Sequence, residues 1–414
     1  MALFLFRLGH FVMNPSPTRI NWKKNLFFVW ITQLLSLAGF SSAMPFIAIY
    51  IRDRWGIYNE HDLGLWVCAF HFFGMISFCL FSPFWGMLAD RFGRKRMLLR
   101  AYYTNAILFP CFLLAPNLWA LIGIRFVTSA FTGVISAAQT LVVTNTPEEH
   151  HGFALGLLSS AIWSGNLLGF AAGGLIVHWY GFQAAFLICG SMYLLAGILA
   201  HLFVRERFER PNAETVKKIH HTWQGLSLGT WLVFLLIIFT ALARRFDDPY
   251  VALMVEKIHG TENTAFHTGW ISALAAVGGI FSGMVIGRLA DLFSPGKIVI
   301  PALLLTGLNT LFQGISGTLS SYSISRFASF LTSAGLESIY LTILSRISPQ
   351  ERRGSIFGLA ASLRILGILL STLFSGGIIY FVGVRSVYFI AALLFWLIIP
   401  VFYVVNFLLD RKPE

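Results

Sequence analysis

Twelve apolar runs, each about as long as a bilayer is thick, decide what this chain can fold into. Crossing the hydrocarbon of a membrane takes about 20 predominantly apolar residues. Runs of that kind are predicted near 25–51, 63–84, 98–115, 118–144, 153–178 and 184–204, and again near 228–254, 268–287, 298–316, 320–345, 354–381 and 385–408. Helices follow, because in lipid only helices and closed barrels satisfy every backbone N–H and C=O. The runs are too long for barrel strands and lack their period-two alternation. Charged residues make up only 12% of the chain, against about 25% in soluble domains. Too few charges remain to cover a soluble surface.

The net charge of +12 raises nucleic acid as a partner, and the placement of that charge argues against it. Of 30 Lys and Arg, Arg52, Arg54, Lys257 and Arg385 fall in loops on one side, and Arg125, Arg244, Arg245, Arg326 and Arg364 fall inside spans. The remainder lie in the loops and tails of the other side, which is the positive-inside pattern and predicts cytoplasmic termini. The expected organisation is a cytoplasmic segment 1–24, a six-helix bundle 25–204, a polar linker 205–227, a second bundle 228–408 and a tail 409–414. The opening MALFLFRLGHFV is too short to span and lacks a small-residue cleavage site, so it reads as a surface helix or as sequence ahead of a start at Met13. Cys68, Cys79, Cys111 and Cys189 sit in apolar runs without metal-ligand spacing and read as free thiols. No metal or cofactor is expected.

The two sets of spans echo each other at an offset of 201–204 residues. Gly86-Met-Leu-Ala-Asp90 recurs as Gly287-Arg-Leu-Ala-Asp291, Arg125-Phe126 as Arg326-Phe327, Gly173-Gly174 as Gly376-Gly377, and Pro45 as Pro249. Pro147–Gly152 likewise recurs as Pro349–Gly354. Parallel repeats related by an axis along the membrane normal suit alternating access, one bundle rocking against the other around a central site.

The loop after the second span reads Gly86-Met-Leu-Ala-Asp90-Arg91-Phe-Gly93-Arg94-Lys95-Arg96. It resembles the G-x-x-x-D-R-x-G-R-R/K loop of the major facilitator superfamily. In span four, Leu121-x-x-x-Arg125 resembles that superfamily's arginine motif, with Ser129 where glycine is usual. In span five, Gly165-x-x-x-Gly169-Phe170-x-x-Gly173-Gly174 is similar to the antiporter motif G-x-x-x-G-P-x-x-G-G, with Phe170 in place of proline. The resemblance covers nearly the whole chain and is nearest to the bacterial twelve-helix drug/proton antiporters of the inner membrane. It implies an all-α fold of two pseudo-symmetric six-helix bundles and a working monomer. Gly86, Asp90, Arg91, Gly93 and Arg94 would then form a charge latch between bundles, Arg125 would take part in proton coupling, and a proton gradient would drive transport. Gly165, Gly169, Gly173 and Gly174 also read as a tight helix-packing face.

Ionisable groups inside spans are functional candidates by default. Span seven carries Arg244-Arg245-Phe-Asp247-Asp248-Pro249, where helical spacing lets each aspartate meet an arginine of the same segment. The cluster reads either as an outer gate or polar contact for the cargo, or as a self-satisfied group at the membrane interface. Glu337 in span ten and Arg364 in span eleven have no charged neighbour on their own helices. Glu337 is the leading candidate proton carrier, with Arg364 or Arg326 as its partner; the alternative is a structural bridge. His71 in span two, with an ordinary pKa of about 6.5, suits proton sensing, though a buried histidine often serves only to hydrogen-bond. Gln33, Gln139, Asn166, Asn309 and Gln313 are polar points that line a cavity or bond between helices.

No phosphate loop of the G-x-x-x-x-G-K-[ST] type is present, and no catalytic motif stands in a plausible context. The sequence therefore points away from an enzyme and toward a secondary exporter of amphipathic or cationic organic compounds in exchange for protons. The alternative is a transporter of one metabolite, such as a siderophore, sugar derivative or amino acid; the buried arginines favour an anionic cargo there. A non-transporting sensor is a third reading, which the short loops disfavour.

Overall fold

A computed structural model describes residues 21–147, 150–206, 226–348 and 353–410, apart from some side chains within helices, Asp90's among them. The opening segment, most of the linker, the tail, and the loop residues 148–149 and 349–352 lie outside the described residues. The described chain is helical: α1 Trp22–Ala43, α2 Ile47–Trp55, α3 Glu60–Phe92, α4 Arg94–Cys111, α5 Leu118–Ala130, α6 Val134–Asn145 and α7 His151–Phe203 come first. Then follow α8 Leu228–Arg244, α9 Val251–His259, α10 Thr264–Leu292, α11 Pro295–Ile315, α12 Leu319–Ser333, α13 Leu336–Ile347, α14 Arg353–Val382 and α15 Val384–Asp410.

Eleven of the described helical stretches are long and apolar enough to cross a membrane. One of them, Phe153–Phe203, is 51 residues long. It is broken at Gly181, where φ 75 and ψ 178 are not helical; the two arms make twelve spans. An even number of crossings puts both ends of the chain on one face, here called the terminal face; the loops at Gly56, Gly181, Gly260 and Gly383 lie on the opposite, distal face.

Local chemistry explains where the helices start and stop. Asn59 accepts from the His61 N–H at 2.9 Å and Asn117 from the Ala120 N–H at 2.8 Å. Thr318 accepts from the Ser321 N–H at 3.2 Å. Each satisfies a backbone donor that the helix itself leaves unpaired.

Spans one, four, seven and ten are interrupted. Pro45 and Pro249 sit in 3-10 turns, Met44–Phe46 and Asp248–Tyr250, because proline cannot donate to the preceding turn. Span four breaks at Gly133, where φ is 109. Span ten breaks at Ala334 and Gly335. Interrupted backbone at membrane depth is tolerated where it is buried in protein or lines a cavity. The four interruptions fall at repeat-related positions, and the Pro45 and Pro249 turns pack against α10 and α3 of the opposite halves.

Candidate transport site

The break in span seven creates the most polar buried cluster. Asp247 and Asp248 lead into the Pro249 turn and meet Arg326 of α12, which is 3% exposed. Arg326 Nη1 bonds Asp247, and its Nη2 lies 3.1 Å from Asp248 Oδ1. Arg326 Nη1 also donates to Gln313 at 3.3 Å, and Arg245 pairs with Asp248 at 2.6 Å. The local pairing expected within span seven therefore holds only for Arg245 and Asp248. Asp247 turns instead to span ten, because the chain leaves the α-helix at Arg245 and the three- and four-residue spacing no longer stacks side chains.

Arg244, the last residue of α8, forms no ion pair among the described residues. Its guanidinium lies over the rings of Trp163 (5.8 Å) and Phe330 (5.7 Å), and its Nε has no hydrogen-bond partner. Beside it a small recess is lined by Thr240, Ser333, Tyr340, Glu337 and Arg364. Glu337 and Arg364 face each other at 3.4 Å, with side chains 35% and 44% exposed. That distance marks a loose pair, with both side chains partly exposed.

Arg125, in α5, is the repeat partner of Arg326. Among the described residues it too forms no ion pair; it lies over Phe70 at 5.3 Å and Phe40 at 5.8 Å, and its Nε is unpartnered. Its side chain fills the space that a Cβ on Gly74 would occupy. His71, beside Phe70 on α3, stands within electrostatic reach of Arg125 in its own half and of Asp248 in the other.

Contacts between the halves run from the middle of the molecule to the distal face. The Trp163 ring fills the notch left by Gly279. Nearer the distal face the backbones of Gly174 and Gly269 touch, and Cys68 packs on Gly376. At the distal end Arg52 Nη1 is 2.5 Å from Glu256 Oε2, and Lys257 Nζ is 2.6 Å from Glu60 Oε2. The other oxygen of Glu60 accepts from the Val384 N–H at 2.5 Å, and His61 donates to the carbonyls at the end of α14.

The remaining candidates have definite places. Gly93, at φ 98, turns the chain between α3 and α4, while a Cβ on Gly86 would meet nothing within 4 Å. Arg94 and Lys95 donate their backbone N–H groups to Glu206, both at 2.8 Å, which ties the loop to the end of its own bundle. Arg91 lies over Phe92; the Asp90 side chain is outside the described part. Gly165, Gly169 and Gly173 face the backbone of α1, and Gly174 faces α10. Gln33 is buried and donates to Tyr102 Oη (3.1 Å) and the Val134 carbonyl (3.2 Å), while its Oε1 has no partner. Asn166 accepts from Ser41 at 2.7 Å, Asn309 bonds its own helix, and Gln139 is exposed on α6.

Sequence reasoning passed over Trp163, Glu206, Glu60 and the Arg52–Glu256 pair. For the last a signal existed. The offset of 204 that aligns Pro45 with Pro249 also aligns Arg52 with Glu256.

Comparison with known proteins gives a consistent picture. The family model of the Major Facilitator Superfamily matches residues 29–262 and 233–414. Over 384 residues the chain is 32% identical to the Multidrug resistance protein MdtG of Citrobacter koseri, covering 92% of this chain and 94% of that one. It is 31% identical to MdtG of Salmonella arizonae at 92% and 95% coverage. Among solved structures, a bacterial homologue of the human lysosomal transporter Spinster, in an inward-facing and unoccupied conformation, superposes with a TM-score of 0.74. Its identity is 16%, and the match covers 96% of this chain and all of that one.

Proposed function

This chain belongs to the major facilitator superfamily, and from that membership we propose that it exports amphipathic organic compounds in exchange for protons. It is a multi-pass secondary transporter of small molecules that works by alternating access, and not an enzyme. MdtG's name as a multidrug resistance protein, carried by relatives similar along almost the whole chain, supports drug efflux here.

The observation that carries the mechanism is the loose Glu337–Arg364 pair at 3.4 Å beside Arg244, in the middle of the C-terminal half. A carboxylate in that place can be taken from its arginine by a proton, or by a cationic group of the cargo that binds the carboxylate itself. Either event changes the charge of the recess, and alternating access couples that change to the rocking of the halves. Binding a proton and binding cargo then become competing events, which is what antiport requires. His71, within electrostatic reach of Arg125 and Asp248, relays that charge change between halves, and the Arg326–Asp247–Asp248 cluster holds the span-seven turn against span ten.

In this reading the terminal face is cytoplasmic, in the inner membrane of a bacterium. The structure is then sealed toward the outside, with its recess open to the inside. The bundles are 25–204 and 228–408, joined by the linker 205–227, and the working unit is a monomer. Nucleic acid has no part. The Gly86–Arg94 loop, with Asp90 at its centre, acts as the latch that closes the cytoplasmic side once the distal seal opens. Phe170, standing where the antiporter motif has proline, favours as a second reading a narrower cargo range, down to a single metabolite.

The test uses purified protein in liposomes that hold a pH-sensitive dye. Proton movement triggered by several unrelated amphipathic compounds is the expected result. A response to one metabolite alone selects the second reading, and silence across a broad panel of cationic, neutral and anionic compounds removes export as the function.

A further inference from the structure

Three histidines meet on the distal face where the two halves touch. His178 ends span five in the first half; in the second half His259 ends α9, and His267 lies in the first turn of α10. The rings of His259 and His267 are 4.7 Å apart at 83°. The Phe266 ring touches both His178 and His267, at 6.1 Å and 5.4 Å between centroids. The fields that reach His267 are those of His259 and His178. Among the described residues none of the three rings forms a hydrogen bond or an ion pair.

The charged groups around them are mostly engaged elsewhere. On α9, Glu256 pairs with Arg52 and Lys257 with Glu60. Asp53 holds Arg52 as well, at 2.7 Å. On α12, which packs against α10, Arg326 is held by Asp247 and Asp248, and the Tyr322 hydroxyl bonds that of Tyr388 at 2.7 Å. On α13, Glu337 faces Arg364. On α3, His61 donates from Nδ1 to the carbonyls of Ile379 and Tyr380, and a proton taken up at its Nε2 leaves those bonds in place. Arg54 of α2, Asp62 of α3 and Glu262, in the loop between α9 and α10, form no ion pair among the described residues. No carboxylate is therefore bound to the three imidazoles to offset a charge they gain.

The seam beside them has no slack. Gly174, four residues before His178, and Gly269, two after His267, bring the two backbones together. A Cβ on Gly269 would fall 2.6 Å from the Phe170 carbonyl oxygen, and one on Gly174 would fall 2.9 Å from that of Ala265. Solvent on the distal side reaches the rings, since His178 and His259 are exposed and His267 is half-buried. His259 and His267 stay together when the halves part, and His178 leaves them. A charge on His178 then costs more while the halves are closed than after they open, once the facing pair is charged too.

We propose that His178, His259 and His267 form a second proton site, on the outer face, that opens the distal side when the external pH falls: a charge on His178 and one shared by His259 and His267 repel across the seam. Protons bind more readily to the open state, so acid shifts the population toward it. The site is separate from Glu337. It draws the empty protein toward the state in which protons reach the interior from outside. The inference takes the distal face as the outer one, as in the export reading, and is independent of the cargo.

The experiment needs no cargo, so its result is separate from that of export. The full-length chain, in nanodiscs, carries one spin label on a distal loop of each half. Between about pH 7.5 and about pH 5.5 histidine titrates while ordinary carboxylates stay charged. Acidification across that window should raise the ratio of distal-open to distal-closed protein about fivefold or more. Replacing all three histidines by Gln should remove most of the rise, and Glu337→Gln should keep at least about half of it. His178→Glu places a carboxylate across from His259 and His267, so acid then charges its partners and favours the closed state. That reversal of sign cannot come from a damaged fold. No rise in the wild type, a full rise in the triple variant, or a His178→Glu response in the wild-type direction overturns the inference.

Discussion

Arg52 and Glu256 occupy equivalent positions in the two halves of the chain and bind each other at 2.5 Å across the boundary between them. Their side chains are 7% and 22% exposed, so the pair is screened from water far more than an ordinary surface bridge. Removing Glu256 leaves Arg52 with Asp53 alone, at 2.7 Å, so the cost stays below that of a fully stranded buried charge, about 3–5 kcal/mol. The cost falls on the distal-closed state alone, because the pair exists only there. Glu256→Gln is therefore expected to shift the protein toward a distal-open state by about tenfold or more, and Arg52→Glu combined with Glu256→Arg to restore the balance. Distances between spin labels on the distal loops report it. Equal populations in wild type and Glu256→Gln would show that this pair does not hold the face closed.

Much of this architecture could be read from the residues, and the reasons are specific. Each span is announced by its own apolar run, and Pro45 and Pro249 mark interruptions because no other residue removes a helix donor so plainly. Glu337 and Arg364 stood out because an isolated charge in an apolar run is expensive. What stayed hidden depends on pairings between segments far apart in the chain. Asp247 had arginines three and two residues before it, and nothing local says that the chain leaves the α-helix there and hands it to Arg326. Trp163 is one aromatic among many, and only the absence of a side chain at Gly279, more than a hundred residues away, makes it a contact between halves. Glu206 lies in a polar stretch where one carboxylate looks like another.

The face between spans one and five should show its glycines unequally. A Cβ at Gly173 would fall 2.5 Å from Ser42 Cα, and one at Gly165 would fall 2.8 Å from the Leu34 carbonyl oxygen. Backbone cannot yield as a flexible side chain does, so Gly173→Ala is expected to cost about 1–3 kcal/mol by overpacking. Gly156, on the same helix, meets nothing within 4 Å, and alanine there should be neutral or slightly stabilising through its better helix propensity. Thermal unfolding in detergent separates the two; equal melting temperatures would mean that span five does not pack on span one this closely.

Glu206 caps α4 with both carboxylate oxygens on consecutive N–H groups at 2.8 Å. Anionic caps at a helix N-terminus contribute about 0.5–2 kcal/mol. Glu206→Ala should therefore loosen the start of α4 without disturbing the recess, and speed tryptic cleavage at Arg94-Lys95-Arg96 several-fold. Glu206→Gln, which keeps one acceptor oxygen, should fall between. A cleavage rate equal to wild type in Glu206→Ala would mean that the cap adds nothing to the order of that loop.

The proton step makes the sharpest demand on the molecule. If Glu337 carries the proton, Glu337→Gln fixes the recess in the state that a bound proton would produce. The amide keeps the size and a hydrogen-bonding oxygen beside Arg364 but cannot change charge. Net export against a gradient needs that change in every cycle, so uphill export should fall by about a hundredfold or more. Exchange of labelled for unlabelled cargo on the two sides of the membrane needs only the rocking of the loaded protein, so at saturating cargo it should survive within a few-fold of wild type, with the cargo KM raised. Arg364→Gln, in contrast, removes the partner that Glu337 must leave when proton or cargo binds, and should impair exchange as well as uphill export. Measuring both rates in the same liposomes separates a coupling residue from a structural one: a structural Glu337 would lose the two rates together, and a bystander would lose neither.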